Sequence, residues 1–413
     1  MTNLCRKVQH AMLGLLLLVL PAQAQTINSM VESVSDSALF STIAGLQGFG
    51  TRSCLSGNTS QVSKWVRAQF VAAGLTDVML DSFMYGATAE ANVVATLPGT
   101  RYPGKEIIVG GHIDSRSSSN SAPGADDDAS GTAAVLEIAR VLASSGYHPS
   151  ATFRFVGFEA EEAGLVGSSH YAREAKAAGR DIALMINFDM IGYTSSANPE
   201  RRFYVVYYPP DTEIASMVAS AATSYTSLTP VLTTSYQASV DSYSFAIENF
   251  PSVNCIEYVF NPYYHSPNDQ VSALDSSYVR DITRTGLATI LQFDAMVATS
   301  VPAVADLPSV TQLYQNFPNP FNPKTGIRFS VPTQSGRDLV STGGRDGQVL
   351  GVSDVKIAVF DLLGREVAVL VNEQKQPGTY EVTFDGSGMP SGVYFYRLQA
   401  GSFAETRKMQ LVK

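Results

Sequence analysis

Acidic residues and histidines cluster in short motifs of a kind that binds divalent cations. The first motif is Gly110-Gly-His-Ile-Asp114, and the second is Gly124-Ala-Asp-Asp-Asp-Ala-Ser-Gly131. Adjacent carboxylates repel one another, and a bound cation relieves that repulsion. Nitrogen and oxygen ligands without cysteine suit zinc in an open catalytic site. The two motifs therefore predict a metal centre.

Further candidate ligands follow other predicted strands. Glu161 and Glu162 come after the apolar run 152–158, Asp189 comes directly after the run 182–188, and His265 follows the run 252–259. Taken singly, a Glu pair usually begins a helix and a lone histidine is usually structural. Because sites in open α/β sheets assemble at the carboxyl ends of strands, their joint occurrence favours a shared site. Two histidines and three carboxylates suit a pair of divalent ions that share one carboxylate.

The elements that must position these residues follow an α/β pattern from about residue 26 to residue 300. Short apolar runs alternate with amphipathic segments, which predicts a mostly parallel sheet covered by helices. The predicted strands are 92–97, 106–110, 152–158, 182–188, 203–207 and 252–259. One packed helix is indicated by apolar residues at helical spacing, namely Ala134, Val135, Ile138, Val141 and Leu142.

A second, smaller domain is predicted after a change in composition. Residues 301–309 are rich in Pro, Ala, Val and Ser, which is typical of a linker. In 310–413, turn residues separate short β-like runs, as a small β-sandwich requires, at 356–360, 378–384 and 392–398. The segment 333–353 is rich in Gly, Ser, Arg and Asp and predicts a long loop.

The N-terminal segment has the features of a secretory signal peptide. Arg6 and Lys7 precede an apolar run at 11–20, and Ala22-Gln23-Ala24 forms an A-x-A cleavage site. The apolar run is about half the roughly 20 residues that a membrane-spanning helix needs. We therefore expect removal of residues 1–24, export to the cell surface or beyond it, and no stable membrane insertion of the mature protein.

Charge and cysteine content limit the classes of binding partner and the cysteine states that the sequence allows. The 413 residues include 37 acidic and 28 basic side chains, which gives a formal charge of -9. This balance argues against a surface for nucleic acids or anionic membranes. Cys54 and Cys255 would remain after export, where a disulfide can persist, and either one disulfide or two separate thiols fits the sequence.

Five ordered motifs resemble those of peptidase family twenty-eight of the metallopeptidases. They are GGHIDS, PGADDDASG, FEAEEAGLVGS, INFDMIGY and YHSPNDQ, and together they span nearly all of the predicted catalytic domain, 25–300. The family groups bacterial leucine aminopeptidases with glutamate carboxypeptidase and glutaminyl cyclase. The resemblance implies a three-layer α/β/α phosphorylase/hydrolase-like sandwich, with a mixed, mostly parallel sheet and two zinc ions.

The same resemblance implies a ligand set for each ion. The first ion would be held by His112, Asp127 and Asp189, and the second by Asp127, Glu162 and His265. Asp127 would bridge the two ions, because the family motif places the ligand third after the glycine. The peptide bond that follows the bridging residue is commonly cis in the family.

Three further residues match family positions with roles in catalysis. Asp114 would accept the second ring N–H of His112 and so fix its tautomer. Glu161 would act as the general base toward a water on the metal and return the proton to the leaving amine. The Tyr264 hydroxyl would stabilise the oxyanion. Aromatic residues at 204–208 and 258–264 are expected mainly to pack in the core, and the lining of an apolar pocket is the alternative.

The resemblance favours an aminopeptidase that hydrolyses N-terminal residues from peptides or proteins. Glutaminyl cyclases of the family keep one zinc, whereas this chain retains ligands for two. Carboxypeptidase members usually carry an inserted domain, for which the segment between residues 92 and 106 leaves no room. These two activities, and an inactive surface binding module on the same fold, are the alternatives.

The C-terminal region resembles the sorting domain of the type IX secretion system. The motifs are QNFPNPFNPKTGIRFSVP, VKIAVFDLLGREVAVLV and SGVYFYRLQAGSFAETRKMQLVK, across about 308–413. The resemblance implies the type IX secretion machinery as a partner, although 333–353 is longer than the turn that is usual there. A carbohydrate-binding or adhesive β-sandwich is the alternative, because fold alone is poor evidence of function.

Overall fold

The computed structural model describes most of the chain, namely residues 27–54, 56–117, 121–299, 308, 310–332, 353–375 and 377–413. The predicted signal peptide, nearly all of the predicted linker and nearly all of the predicted loop 333–353 lie outside these residues. No helix in the described part of the chain has both the length and the apolar character needed to cross a membrane.

The first part of the chain alternates helices with strands. The helices are α1 (27–32), α2 (Asp36–Gln47), α3 (Thr59–Ala72), α4 (Ala129–Ser144), α5 (Val166–Ala177), α6 (Thr212–Tyr225), α7 (Ser242–Ile247) and α8 (Ser276–Thr299). The strands are β1 (Asp77–Tyr85), β2 (Thr88–Leu97), β3 (Tyr102–His112), β4 (Ala151–Phe158), β5 (Asp181–Phe188), β6 (Arg202–Tyr207), β7 (Thr229–Thr233) and β8 (Ser252–Glu257). The helix predicted from apolar spacing is α4.

These eight strands form one mixed, mostly parallel sheet in the order β1-β2-β4-β3-β5-β8-β6-β7. Strands β4, β3, β5 and β8 run parallel, whereas β1 and β2 pair antiparallel at one edge. Helices α3, α4, α6 and α8 pack on one face, and α5 and α7 pack on the other. The predicted three-layer α/β/α arrangement is confirmed.

The C-terminal part forms two antiparallel sheets around a separate apolar core. Its strands are β9 (Gln312–Leu313), β10 (Lys324–Val331), β11 (Ser353–Phe360), β12 (Glu366–Lys375), β13 (Gly378–Asp385), β14 (Gly392–Ala400) and β15 (Phe403–Leu411). One sheet has the order β13-β10-β9 and the other has the order β12-β11-β14-β15. The predicted small β-sandwich is confirmed.

A buried ion network joins the two parts of the chain. Glu106 of β3 is fully buried and accepts hydrogen bonds from Arg180 (3.0 Å) and from Arg154 of β4 (3.2 Å). Arg154 also donates to Glu381 of β13. Phe317 packs edge-to-face on Tyr171, with ring centroids 5.1 Å apart. The C-terminal part therefore docks near the amino ends of β3 and β5, away from their carboxyl ends.

Replacing Glu381 with alanine is expected to destabilise the whole protein. Arg154 is almost fully buried and would lose one of its two carboxylate partners. A hydrogen bond to a charged group contributes about 2 kcal/mol. Thermal unfolding of the full chain measures the loss, and Glu366→Ala, which removes an exposed ion pair with Lys356, provides the control. Equal melting temperatures for the two variants would contradict the docking described here.

Candidate metal centre

The carboxyl ends of adjacent parallel strands bring the predicted ligands to one edge of the sheet. His112 is the last residue of β3, and Asp189 directly follows β5. Glu162 lies on the loop after β4, and His265 lies on the loop after β8. Because these strands are parallel neighbours, their carboxyl ends open onto the same pocket.

Asp128 ties together the backbone beneath the ligands. Its carboxylate accepts the backbone N–H groups of His112 (3.0 Å), Met190 (3.2 Å) and Gly131 (2.9 Å). It thereby caps α4 and links the ends of β3 and β5. At Gly131 a Cβ atom would lie only 2.3 Å from the Phe188 carbonyl oxygen, so this close approach requires glycine. The Asp127–Asp128 peptide bond is cis.

One group of potential ligands comprises His112, Asp127 and Asp189, all of them buried. The His112 Nε2 atom lies 3.1 Å from Asp127 Oδ1 and 3.8 Å from Asp189 Oδ1. Burial alone would lower the pKa of His112, but the nearby carboxylates of Glu161, Asp114, Asp127 and Asp189 raise it well above its usual value. The surrounding carboxylates therefore favour the doubly protonated form of this imidazole over the neutral form.

A second group comprises Asp127, Glu162 and His265. The His265 Nε2 atom lies 3.0 Å from Asp127 Oδ2 and also 3.0 Å from Glu162 Oε1. Asp127 thus contributes one oxygen to each group. The two groups are those that the resemblance implies, although their role as metal ligands remains a prediction.

The donor atoms fit two zinc ions. Ligand atoms about 2.0–2.1 Å from a tetrahedral zinc ion lie about 3.3 Å from one another, which is close to the separations within both groups. Asp127 Oδ2 is buried and accepts no well-directed hydrogen bond from the described residues, although His265 Nε2 lies nearby. An unbonded buried carboxylate oxygen that faces a histidine nitrogen is suited to a shared cation.

Asp114 lies where it can orient His112, and it also holds another loop. Its Oδ1 atom is 3.3 Å from His112 Nδ1, on the side of the ring that faces away from Asp127. The same carboxylate accepts the backbone N–H groups of Glu161 (3.0 Å) and Glu162 (3.2 Å). Asp114 therefore links one candidate ligand to the loop that carries another.

Glu161 and Tyr264 lie on the pocket wall beside the two groups. Glu161 Oε2 is 4.0 Å from His112 Nε2, and only 11 % of its side chain is exposed. Burial raises the pKa of Glu161 well above its usual value, the charge of His112 opposes this shift, and the nearby charge of Asp241 adds to it. The Tyr264 ring stacks on that of His265 with a centroid separation of 3.7 Å. The catalytic roles of both residues remain predictions.

The ligand loops contain backbone conformations that L-amino acids adopt rarely. Ala160, Met190 and His265 have φ angles of 60°, 53° and 53°. Each is a ligand or lies within two positions of one. Non-glycine residues in this region cost free energy, and they concentrate at functional sites. The surrounding packing therefore holds these loops in a defined shape.

The pocket has a volume of about 410 Å³ and combines the ligand groups with apolar walls. The apolar lining residues are Leu165, Met190, Tyr236, Val240, Ile256 and Phe260. Phe260, Tyr263 and Tyr264 are 37 %, 40 % and 44 % exposed, so the expectation that aromatic residues at 258–264 pack mainly in the core is wrong for these three. Tyr208, by contrast, is buried.

Asp241 is a functional candidate that the sequence reasoning missed. It is fully buried directly before α7, and its charge acts on Glu161. Burial raises the pKa of Asp241 to about 7. The other candidate acids follow strands, whereas Asp241 precedes a helix. The only sequence signal for Asp241 was its position directly before a helix, and an acid at that position usually caps the helix.

Comparison with known proteins shows which family this chain belongs to. The sequence profile of peptidase family M28 matches residues 92–290. The chain is 30 % identical over 271 residues to a "probable leucine aminopeptidase" of Trichophyton verrucosum, and the match covers 62 % of this chain and 70 % of that protein. This chain belongs to peptidase family M28. The M28 match includes all five residues of the two ligand groups.

Two further similarities concern a relative that this chain covers only in part and the C-terminal region beyond the M28 match. A "probable zinc metalloprotease" of Pyrenophora teres f. teres is 38 % identical over 193 residues, which are 41 % of this chain and 41 % of that protein. The chain thus spans less than half of that relative's length. The profile of a secretion system C-terminal sorting domain matches residues 315–412.

A solved structure shares the M28 fold. The LapA aminopeptidase of Legionella pneumophila superimposes with a TM-score of 0.60 at 23 % identity, over 66 % of this chain and 75 % of that chain. At this level of identity the similarity shows the fold. The superimposed structure supports the three-layer architecture described above.

Zinc binding to this M28 site is expected to strengthen as the pH rises from below 7 to 9. Burial alone would lower the pKa of His265, but Asp127 and Glu162 raise it to about 9, and burial raises the pKa of Glu162 to about 7. Below these values protons compete with zinc for the same atoms. Calorimetric titration of the metal-free protein in buffers of different ionisation enthalpy measures the released protons. An affinity independent of pH, without proton release, would contradict this expectation.

Proposed function

We propose that this chain is an exported zinc aminopeptidase that removes N-terminal residues from peptides. The observation that carries the proposal is the pair of ligand groups that share Asp127, beside the buried carboxylate of Glu161. A site for two ions with an adjacent general base is suited to the hydrolysis of amide bonds. The curated relative from Trichophyton verrucosum described as a leucine aminopeptidase supports the same activity.

The five ligands would hold two Zn²⁺ ions, one in each group. When bound, such ions act as Lewis acids toward a carbonyl oxygen and lower the pKa of water. Asp114 Oδ1 lies 3.3 Å from His112 Nδ1, so Asp114 would orient the ring with Nε2 facing Asp127 and Asp189. The chain itself therefore supplies the orientation of the ligands.

Glu161 is the group that moves protons. Its carboxylate lies at the pocket wall and is almost enclosed, with Oε2 near the first ligand group. In the metal-free protein its pKa is raised mainly by burial, which makes it a stronger base than an exposed carboxylate. It would accept a proton from the attacking water at this oxygen and deliver it to the leaving amine. Tyr264, on the same wall, would donate its hydroxyl proton in a hydrogen bond to the developing oxyanion.

The rest of the pocket favours an apolar N-terminal residue. Tyr236, Ile256 and Phe260 line the same pocket as the carboxylates and supply apolar surface. An α-ammonium group in the pocket would lie beside Glu161, a carboxylate that belongs to neither ligand group. A peptide could therefore place its first side chain on the apolar wall and its amine among the acids.

Two copies of one Gln-led peptide, free-ended and N-acetylated, test this activity. Stepwise shortening of the free-ended copy alone, followed by mass spectrometry, is the expected result. Shortening of both copies from the carboxyl end would indicate a carboxypeptidase. Loss of ammonia without shortening would indicate a glutaminyl cyclase. If the zinc-loaded protein changes neither copy of the peptide, the result would favour the inactive binding module.

We further propose export through the type IX secretion system. The match of residues 315–412 to a secretion system C-terminal sorting domain supports this route, and the predicted signal peptide would take the chain across the first membrane. Fusion of residues 308–413 to a reporter protein with a signal peptide tests it in a host that has the system. Release of the reporter that depends on these residues is expected, and retention of the reporter would count against the route.

A further inference from the structure

Asp269 belongs to a sequence motif around His265, but the proposed reaction gives it no role. It is almost completely buried, with 1 % of its surface exposed. Its Oδ1 atom accepts the backbone N–H of Asp126 at 2.9 Å, and its Oδ2 atom accepts the backbone N–H of Asp127 at 3.1 Å. Both oxygens are thus engaged by consecutive backbone groups, one of which belongs to the shared candidate ligand.

Further hydrogen bonds join the same two loops. The backbone N–H of Ala125 donates to the Asp269 carbonyl oxygen at 3.2 Å. The Asn261 side-chain amide donates to Asp126 Oδ2 at 3.0 Å and lies 3.4 Å from Asp269 Oδ1. The loop that carries His265 is therefore fastened to the loop that carries Asp127 by side-chain and backbone contacts.

These contacts between the two loops affect the relative positions of two atoms that would bind the same ion. His265 Nε2 and Asp127 Oδ2 are 3.0 Å apart, yet they come from loops that are far apart in the sequence. The same arrangement occurs once more at the site, where Asp114 accepts the consecutive backbone N–H groups of Glu161 and Glu162. In both places a buried carboxylate holds the backbone of a candidate ligand.

We propose that Asp269 is a positioning residue that sets the distance between Asp127 and His265 and thereby the zinc affinity of the second ligand group. The inference rests on the proposed metal function. Groups that orient metal ligands typically change metal affinity by about 10- to 100-fold when they are replaced. Asp269 belongs to neither ligand group and would act through the backbone of Asp127.

The direct test replaces Asp269 with asparagine and measures zinc affinity. Asparagine keeps the size of the side chain, but its single carbonyl oxygen can accept only one of the two N–H groups in the same way, and its amide faces the other. In D269N the weaker of the two zinc sites should bind about 10- to 100-fold less tightly in competition with a chelator. Cobalt loading should also give an altered visible absorption spectrum, which reports ligand geometry.

Two comparisons separate positioning from a general effect on folding. Asn268→Ala changes an exposed neighbour in the same loop and should bind zinc as the unmodified chain does. Thermal unfolding of the metal-free proteins shows how much stability D269N loses. If D269N does not fold, Asp269→Ser, with a smaller side chain that accepts one N–H, should show the same loss of affinity.

The outcomes distinguish this inference from the proposed function. If the unmodified chain binds no zinc, the proposed function fails. If the unmodified chain binds two zinc ions and a folded D269N or D269S variant binds them equally tightly, with the same cobalt spectrum, Asp269 is only structural and the inference is overturned.

Discussion

Replacing Glu161 with glutamine is expected to lower kcat by about 100-fold or more while leaving zinc content and folding unchanged. General acid–base catalysis contributes about 100- to 10,000-fold to enzymatic rates. Glutamine has nearly the same size, but its amide cannot accept and return a proton. Glu161 belongs to neither ligand group, so the zinc content of the variant should stay at two per chain.

The measurement is steady-state cleavage of a Leu-led peptide together with metal analysis of the same samples. Glu213→Gln, on the exposed first turn of α6, removes one carboxylate outside the pocket and is the matched control. The control should retain full kcat. A Glu161→Gln variant that turns over substrate within a fewfold of the unmodified chain would remove Glu161 from its role as the base.

Replacing Asp127 with asparagine is expected to abolish activity and reduce zinc content below one ion per chain. Asp127 contributes an oxygen to both ligand groups, and the separations of 3.1 Å and 3.0 Å to the two histidines depend on it. The amide lacks the negative charge that stabilises two adjacent cations, and it has only one good ligand oxygen. Both sites should therefore weaken together.

Metal analysis after dialysis against a fixed concentration of free zinc measures this loss. Asp181→Asn removes a half-exposed carboxylate at the start of β5 and should retain two zinc ions. Retention of one tightly bound ion by the Asp127→Asn variant would show that only one group depends on Asp127. Retention of two ions would contradict the shared-ligand arrangement.

The arrangement of the catalytic sheet was predictable because most of its strands have clear apolar patterns. Five of the six predicted strands lie within β2, β3, β4, β5 and β6, and the sixth, 252–259, extends two residues beyond the end of β8. The edge strand β1 carries Asp81 and Ser82 among its apolar residues, and β7 contains Pro230, so neither shows the pattern of a buried strand. Edge strands tolerate such residues, and local sequence therefore identifies them poorly.

The candidate ligands were predictable for a related reason. His112 and Asp189 stand at the ends of apolar strands, and parallel order brings such ends together. Asp241 escaped notice because it precedes a helix, and only the packing of α7 places it near Glu161. The hydrogen bonds of Asp114 and Asp269 to distant backbone groups could not be predicted from the sequence either, because any backbone N–H can donate to a carboxylate.

The state of the cysteines and the contact between the two parts of the chain depend on tertiary structure. Cys54 and Cys255 are separate thiols in the structure, and Cys255 is buried in β8. Sequence left both possibilities open because it does not report distances. The bond between Arg154 and Glu381 joins residues 227 positions apart, and neither residue stands in a motif that indicates a partner.

Anomalous diffraction at the zinc edge, from crystals of zinc-loaded protein, tests the central claim most directly. The account predicts two peaks, one among His112, Asp127 and Asp189 and the other among Asp127, Glu162 and His265. A single peak, or two peaks that do not share Asp127, would contradict it.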